Sequence, residues 1–448
     1  MKRYYKIAIF LFILFLGYFA FTTYPKLELI SGFSAKNVAS AHFIDNRSLE
    51  FIEKTDNDFD VIGWASNQIN ESGKYAEATV FGLKKWKAIY RQGLGATLID
   101  DSFDTIKGYE VPKRIQLKNN LPFPYGELEP RDTLFGNVDY AKLNQAVTNA
   151  FDAKDEDNKR TRSVLVIYKD KIIAEKYAVG FSKNSMLLGW SMTKSITGTL
   201  FGILQSQKKF DIYKPAPIPE WQNDNRKNIT TNDLLHMNSG LEWDEAYDRI
   251  CDATIMLFQS KDMSHSQLEK PAVFKPNTHW YYSSGTTNLL SGILRKQFKT
   301  HQEYLDFWYS ALIDKIGMHS MLIETDMAGN YVGSSYGWAT TRDWSKLGLL
   351  YLHKGNWNGE QIFDASWEKY VSTPTVGSNG DYGAHFWLNA GGHYPDAPRD
   401  MYSCNGFQGQ KVFIIPSKDL VIVRMGLTGD AKFDFNKMLK GVVGSITK

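Results

Sequence analysis

Two pairs of strand-like segments lie far apart in the sequence, and their separation constrains the fold more than any other feature. Residues 163–168 and 172–177 form the first pair, and residues 412–415 and 420–425 form the second. β-Branched residues are frequent in both pairs, and Lys169-Asp170 supplies a turn within the first. Mainly helical sequence separates the pairs, which does not fit an alternating β-α-β order. The pattern predicts an α+β fold, in which helices flank an antiparallel sheet and a mainly helical lobe follows the first strands.

A serine and a lysine stand three positions apart at Ser191 and Lys194, where an apolar pattern of helical spacing begins. In a helix that starts at about Ser191, the two side chains share one face, one turn apart. A serine becomes a good nucleophile when a base takes its proton, and a lysine can be that base when desolvation lowers its pKa. The same spacing recurs at Ser366 and Ser445. A capped core helix with a snorkelling lysine is therefore an open alternative.

Residues 1–25 differ in kind from the rest of the chain. The basic residues Lys2, Arg3 and Lys6 precede an apolar run within residues 7–24. This order is typical of a signal peptide or a signal anchor, and an anchor is favoured because no convincing cleavage site follows. The run just reaches the length that spans a bilayer. We expect the protein to be exported and held by this segment at the periplasmic or another extracytoplasmic face of the inner membrane.

Composition excludes several function classes. Hydrophobic residues make up 43% of the 448 residues, so the chain can bury a large core. The formal net charge is only +3, and no basic block or zinc-finger spacing occurs, which argues against nucleic-acid binding. The nine histidines show no metal-ligand spacing, so neither a metal nor another cofactor is expected. Cys251 and Cys404 can form at most one disulfide, and the sequence leaves their pairing open.

Residues 26–125 predict an N-terminal accessory region of short strands and turns. Residues 76–83 and 86–90 flank two lysines and predict a hairpin. A segment rich in proline and glycine, 121–126, marks the boundary of the main domain. The predicted organisation is therefore a signal segment, this accessory region, and a main domain that spans 126–448.

One Gly-x-Ser-x-Gly match occurs at 333–337 and is typical of the nucleophile elbow of α/β-hydrolases, with Ser335 as the attacking residue. An elbow needs a buried strand that runs directly into the serine turn. Only Tyr331 and Val332 precede this match as strand-like sequence. A loop rich in glycine and serine is the favoured interpretation.

Two further segments have the composition to complete a site around Ser191. Tyr282 stands on a loop ahead of a helix-like pattern, where a phenol could shuttle a proton. The segment 405–410 contains Gly406 and Gly409, which let a backbone approach a ligand closely. A tyrosine packed in the core and an ordinary turn are the respective alternatives.

With these three motifs in this order, the sequence resembles the serine β-lactamase-like superfamily. The resemblance is to the class C branch, which also contains penicillin-binding DD-peptidases, esterases and the nylon-oligomer hydrolases. It extends from about residue 135 to the C-terminus. It implies that Ser191 is the acylated nucleophile, that Lys194 is its partner, and that Tyr282 is the tyrosine of a Tyr-x-Asn element. Which of Lys194 and Tyr282 first accepts the proton stays open, because the two would titrate as a coupled pair.

The resemblance also implies a third motif, in which Phe407, Gln408 and Gly409 take the place of Lys-Thr-Gly. The oxyanion would then lie between the backbone N–H groups of Ser191 and Gln410. Phe407 departs from the family pattern, because a phenyl ring cannot supply the positive charge that a carboxylate-bearing antibiotic requires.

Two other substrate contacts follow from the resemblance. Ser284 replaces the usual Asn and is a shorter donor for a substrate amide. Tyr247 is similar to a mobile-loop tyrosine of the nylon-oligomer hydrolases, which closes over the substrate and donates to its amide nitrogen. A surface tyrosine is the alternative for Tyr247.

These observations predict an exported serine hydrolase that cleaves a small-molecule or peptide-like amide or ester through an acyl-enzyme. A β-lactamase or DD-carboxypeptidase of the same fold is the alternative, which Phe407 disfavours. A non-catalytic module that binds the cell envelope is an alternative from another class, because a fold alone does not guarantee chemistry.

Overall fold

The computed structural model describes residues 2–104, 108–115, 120–154, 156, 158–429 and 431–447. The α-helices of this part of the chain are α1 Lys2–Asp45, α2 Leu49–Lys54, α3 Tyr140–Asn149, α4 Thr193–Ser206, α5 Thr231–Leu235, α6 Asp252–Gln259, α7 Ser284–Arg295, α8 His301–Trp308, α9 Thr341–Leu352, α10 Ser366–Val371 and α11 Phe435–Val443. The strands are β1 Ala65–Asn70, β2 Tyr75–Val80, β3 Leu83–Arg91, β4 Gly95–Ile99, β5 Thr161–Tyr168, β6 Lys171–Tyr177, β7 Leu187–Leu188, β8 Leu322–Ile323, β9 Gly337–Ala339, β10 Asn356–Trp357, β11 Glu360–Gln361, β12 Trp387–Leu388, β13 Tyr402–Gly406, β14 Gln410–Ile415 and β15 Leu420–Gly426.

The chain forms two compact units. The N-terminal unit contains the residues up to Lys107 together with Asp244–Asp262 and Asp326–Ala328, and the C-terminal unit contains the remainder. The sequence predicts one boundary at residues 125 and 126, whereas the structure divides after Lys107. The inserted segment belongs to the N-terminal unit because Phe258 on α6 packs against Phe33 on α1, with 5.4 Å between the ring centroids.

The N-terminal unit consists of a four-stranded antiparallel sheet, in the order β1-β2-β3-β4, on which the C-terminal half of α1 packs. The prediction of strands and turns from residue 26 onward is therefore wrong for the segment up to Asp45, which is helical. Small residues such as Ala35 and Ala39 are fully buried there and let the helix approach the sheet closely. The predicted hairpin exists, but its turn lies at Phe81-Gly82, before the two lysines.

We find, within the part of the chain that the structure describes, no helix that is both long enough and apolar enough to cross a membrane.

A six-stranded antiparallel sheet, in the order β12-β13-β14-β15-β5-β6, forms the centre of the C-terminal unit. Strands from the two ends of this unit meet where Leu165 on β5 pairs with Val423 on β15. The predicted hairpin between β5 and β6 is confirmed, and Lys169 and Asp170 form its turn with positive φ values of 48° and 60°. The predicted α+β fold, with an antiparallel sheet and helices, is confirmed.

Both faces of this sheet carry helices. On one face, Leu143 of α3 and Leu439 of α11 belong to an apolar cluster with Val166, Phe413 and Ile422 of the strands. Helix α9 packs on β14 and β15 and is buried along most of its length. Burial of these apolar side chains on both faces stabilises the sheet. The sheet therefore provides a fixed support for the residues at the ends of β13 and β14.

Candidate active site

The nucleophile motif begins with a short 3-10 turn, Trp190–Met192, which leads directly into α4. Ser191 thus lies in this turn, two residues before the α-helix, close to the helix start that the sequence predicts at about Ser191. A Cβ atom on Gly189 would come within 2.2 Å of the Trp344 ring, so only glycine fits ahead of this turn. The amide of Gly189 donates to Gly337 O at 2.8 Å, which fixes the turn against β9.

Lys194 is 1% exposed and lies at the centre of the motif. Its Nζ donates to Ser191 Oγ at 3.0 Å, to Ser284 Oγ at 2.9 Å and to the carbonyl oxygen of Ser334 at 2.9 Å. The same atom lies 4.9 Å from the centre of the Tyr282 ring. The structure therefore brings Ser191, Lys194 and Tyr282 together, as the sequence predicts. A lysine at this position can act as the base only in its neutral form.

Ser334 is a contact that the sequence interpretation misses. It belongs to the Gly-x-Ser-x-Gly match at 333–337, for which the sequence favours a loop over a nucleophile elbow. In the structure this segment is a buried loop ahead of β9. Its backbone carbonyl, rather than a hydroxyl, reaches Lys194. A carbonyl carries no side-chain signal, so no motif could have revealed it. The loop is tied to α4 by Thr197, which donates to Gly333 O at 3.0 Å.

Tyr282 is held by an aromatic wall. Its ring centroid lies 5.2 Å from that of Trp387 and 5.8 Å from that of Tyr382. The next residue, Ser283, is the N-cap of α7 and accepts a hydrogen bond from Thr286 N at 3.0 Å. The capped helix start and the ring contacts together keep Tyr282 beside Lys194.

The third motif lies beside the nucleophile turn. Phe407–Gly409 form a 3-10 turn between β13 and β14, in which Gln408 adopts a left-handed conformation with φ 59°. A Cβ atom on Gly406 would come within 2.0 Å of Gly189 O, so the two backbones touch. The ring centroid of Phe407 lies 5.6 Å from that of Trp190.

Gln410 begins β14 immediately after this turn. Its buried side chain donates to Phe407 O at 3.1 Å and accepts from Gly426 N at 3.0 Å, which joins the turn to the end of β15. Whether its backbone N–H holds an oxyanion with that of Ser191 stays a prediction.

Arg424 is a second residue that the sequence interpretation misses. It is fully buried on β15 and donates to the carbonyl oxygens of Gln408 at 3.2 Å, Gly409 at 3.0 Å and Thr428 at 2.9 Å. A buried arginine that binds backbone carbonyls fixes the turn of the third motif from behind. Only a charged residue inside an otherwise apolar strand could have drawn attention to it.

A neutral histidine supports α4 from its other side. His385 Nδ1 lies 2.7 Å from Leu235 O, so this nitrogen carries the proton, and Nε2 accepts from Thr287 Oγ1 at 2.9 Å. Burial lowers the pKa of His385 to about 3. Its backbone carbonyl accepts from Ser195 Oγ at 2.7 Å, and a Cβ atom on Gly198 would lie 3.1 Å from its Cβ.

Tyr247 belongs to the segment Asp244–Asp262 of the N-terminal unit. It is 44% exposed, and its hydroxyl donates to Glu245 in the same segment. Its predicted contact with substrate stays a prediction.

In the part of the chain that the structure describes, no group of three or more His, Cys, Asp or Glu residues could hold a metal ion. Cys251 and Cys404 are free, buried thiols. Burial raises the pKa of the Cys404 thiol to about 12, which makes it a poor nucleophile.

Comparison with known proteins extends these findings. A family model described as Beta-lactamase matches residues 147–435. The 6-aminohexanoate-dimer hydrolase of Paenarthrobacter ureafaciens is 21% identical over 294 residues, which cover 59% of this chain and 72% of that protein.

Two solved structures share the fold. A family VIII carboxylesterase superposes with a TM-score of 0.55 at 15% identity, and the match covers 71% of this chain and all of the esterase (100%). A penicillin-binding protein homologue from Caulobacter crescentus gives a TM-score of 0.54 at 12% identity, with coverage of 71% and 100%. At these identities the likeness concerns the fold.

Proposed function

The chain belongs to the beta-lactamase family of serine hydrolases, and from this premise we propose that it is an exported hydrolase that cleaves amide or ester bonds through an acyl-enzyme at Ser191. The family assignment that the sequence motifs predict is confirmed. Within the family, the proposal concerns the bond that is cleaved and the residues that act.

The proposed reaction has two halves. Ser191 Oγ attacks the substrate carbonyl while Lys194 or Tyr282 accepts its proton, and backbone N–H groups at Ser191 and Gln410 stabilise the oxyanion. The C–N or C–O bond then breaks, and the leaving amine or alcohol takes the proton. A water molecule attacks the acyl-enzyme, releases the carboxylic acid and restores the Ser191 hydroxyl.

The observation that carries the proposal is the 3.0 Å contact between Lys194 Nζ and Ser191 Oγ at a buried position. Ser284 Oγ and the carbonyl oxygen of Ser334 also accept from this amine, which holds it beside Ser191.

The side chains beside Ser191 favour an apolar acyl group. The rings of Trp190 and Phe407 contact each other at the nucleophile turn. The rings of Tyr282 and Trp387 contact each other at the tyrosine motif. We propose that Phe407, Gln408, Gly409 and Ser284 contact the substrate. Without a lysine in the third motif, carboxylate-bearing β-lactams are expected to be poor substrates.

Labelling by a fluorophosphonate probe tests the nucleophile. Ser191→Ala should abolish labelling, and Lys194→Met should lower its rate by about a hundredfold, in the range of proton-transfer contributions. Ser366→Ala is the matched control, because Ser366 and Lys369 have the same spacing. Labelling that survives in Ser191→Ala would refute the proposal. A wild-type chain that is not labelled but binds cell-wall fragments would favour the non-catalytic module instead.

Substrate choice needs a separate assay. Hydrolysis of p-nitrophenyl esters and short amides should exceed that of a chromogenic cephalosporin. Efficient cephalosporin turnover would reverse the ranking in favour of a β-lactamase or DD-carboxypeptidase.

Export is proposed from the sequence of residues 1–25, whose basic flank and apolar run are typical of a signal peptide or anchor. The expected location is the extracytoplasmic face of the inner membrane. Protease accessibility in spheroplasts tests it, and a chain protected until the cells are lysed would argue against export.

A further inference from the structure

A cavity of about 220 Å³ lies on the reverse side of the segment that carries Tyr282. The two residues that flank Tyr282 in the sequence, Tyr281 and Ser283, both line this cavity. Ser283 is extended, with φ −144° and ψ 118°, and alternate side chains of an extended segment point to opposite faces. The Tyr282 ring faces Lys194, so its neighbours face away from Ser191. The cavity is therefore separate from the candidate active site.

Three buried side chains bring hydrogen-bond donors to this cavity. Gln267, 1% exposed, accepts from Thr286 Oγ1 at 2.6 Å through its amide oxygen, and its amide nitrogen is a donor. The Ser283 hydroxyl accepts from Thr286 N, and the Ser239 hydroxyl accepts from Leu241 N at 3.4 Å. Neither hydroxyl donates to any residue that the structure describes. These three side chains can therefore donate to an oxygen acceptor in the cavity.

The remaining wall is apolar and nearly uncharged. Met237, Leu241 and Trp243 form the inner wall, and the exposed rings of Phe274 and Tyr281 stand at the mouth. No lysine or arginine lines the cavity, so no full positive charge there pairs with a carboxylate.

The three titratable residues of the lining, Glu242, His279 and Tyr281, are at the mouth. Glu242 is exposed and would repel an anion, and His279 is exposed and stacked on Phe274 at 4.3 Å. At the inner end, Ser283 caps the N-terminus of α7, where the partial positive charge of the helix favours an oxygen acceptor.

We propose that this cavity binds a small neutral carbonyl compound, whose oxygen accepts from Gln267, Ser239 and Ser283 and whose apolar body lies against Trp243 and Phe274. The volume is below the roughly 300 Å³ at which pockets for drug-sized ligands begin, so the ligand is a small molecule with one ring or a short chain. The site is independent of the proposed hydrolysis, because no reacting residue lines it.

Acetophenone is a suitable probe, since it has one carbonyl acceptor, one ring and no bond that the proposed hydrolysis would cleave. Binding to the full chain is measured by ligand-detected NMR, in the wild type and in Ser191→Ala to exclude addition to the nucleophile. Both proteins should bind acetophenone equally. A crystal soaked with acetophenone should show its oxygen between Gln267 and Ser239. A cavity that contains only ordered water would overturn the proposal.

Three variants locate the bound oxygen. Gln267→Met and Ser239→Ala should each weaken acetophenone binding about fivefold, which corresponds to the loss of one hydrogen bond. Glu242→Gln should leave it unchanged, because the ligand carries no charge. Thermal unfolding reports whether each variant is folded. If Gln267→Met is not folded, the acetophenone affinity of Ser239→Ala, which is the smaller change, decides whether the carbonyl binds there. The proposal would be refuted if Ser239→Ala, and Gln267→Met where it is folded, bound acetophenone as tightly as the wild type does. It would also be refuted if benzylamine bound more tightly than acetophenone and Glu242→Gln removed that binding.

Discussion

At the scale of single residues, Lys194 owes its position to oxygens that come from three different parts of the chain. Ser191 lies in the preceding turn, Ser284 begins α7, and the Ser334 carbonyl belongs to the loop before β9. Each acceptor fixes one direction of a flexible side chain. Ser284 is itself fully buried, so its contact with the lysine is shielded from solvent.

Ser284→Ala should lower the rate of fluorophosphonate labelling about fivefold, because one hydrogen bond that orients Lys194 is worth roughly 1 kcal/mol. Ser334→Ala is the matched control. It keeps the backbone carbonyl that Lys194 uses and removes a hydroxyl that contacts only Ser335 among the described residues, at 2.8 Å. Equal effects in the two variants would contradict this role for Ser284.

His385 should make the fold sensitive to acid. Its pKa is lowered to about 3 by burial, while in the unfolded chain it is about 6.5, so the unfolded state binds more protons between these values. Stability is therefore complete above pH 6.5 and falls below it, by at most about 1.4 kcal/mol per pH unit.

Urea unfolding between pH 7 and 5 tests this sign. His385→Gln should lose less stability over that interval than the wild type. Some slope should persist in the variant, since burial also lowers the pKa of His236, to about 4. A variant with the same slope as the wild type would show that His385 is not the responsible group.

At the scale of secondary-structure elements, the site depends on the contact between the nucleophile turn and the end of β13. Gly406→Ala should displace the end of β13 from the nucleophile turn, because the Cβ of the alanine would lie 2.0 Å from Gly189 O. We expect a loss of about 2 kcal/mol in unfolding free energy, within the range for overpacking, together with at least tenfold slower labelling. Gly136→Ala is the control, because a Cβ there meets nothing within 4 Å. Normal labelling in Gly406→Ala would mean that this contact does not shape the site.

Elements with a clear period were predictable, and those defined by tertiary contacts were not. The hairpin of β5 and β6 follows from its alternating, β-branched strands and turn residues. Ser191 and Lys194 met because a spacing of three fixes neighbours in either a 3-10 or an α-helical turn. The helix at residues 26–45 is not evident from the sequence, because its buried small residues are stabilised by packing against the sheet. Arg424 and the Ser334 carbonyl escaped notice because their roles arise from residues distant in sequence.

At the scale of the whole molecule, the N-terminal unit takes one helix from the middle of the chain. Phe258 on α6 is buried against Phe33, and the Cβ of Phe258 lies 3.2 Å from where a Cβ on Gly32 would stand. Ile255 on the same helix is 41% exposed. Ile255 is the exposed position of α6, whereas Phe258 and most of the other residues of the helix are buried.

Phe258→Ala should destabilise the N-terminal unit by about 3 kcal/mol, the usual cost of truncating a buried phenylalanine. Ile255→Ala should change stability by less than about 0.5 kcal/mol, as expected for a surface position. Limited proteolysis followed by mass spectrometry measures both effects. Cleavage in the α1 region should accelerate only in Phe258→Ala, and similar rates in both variants would contradict the assignment of α6 to this unit.

Because the N-terminal unit joins residues up to Lys107 with Asp244–Asp262, it cannot be completed in the order in which the ribosome makes it. Its sheet and first helix are synthesised early, yet the apolar surface around Phe33 stays uncovered until α6 has emerged. A nascent chain stalled before residue 262 should therefore recruit chaperones, and a gene fusion that transplants only the first 107 residues should yield an aggregating fragment.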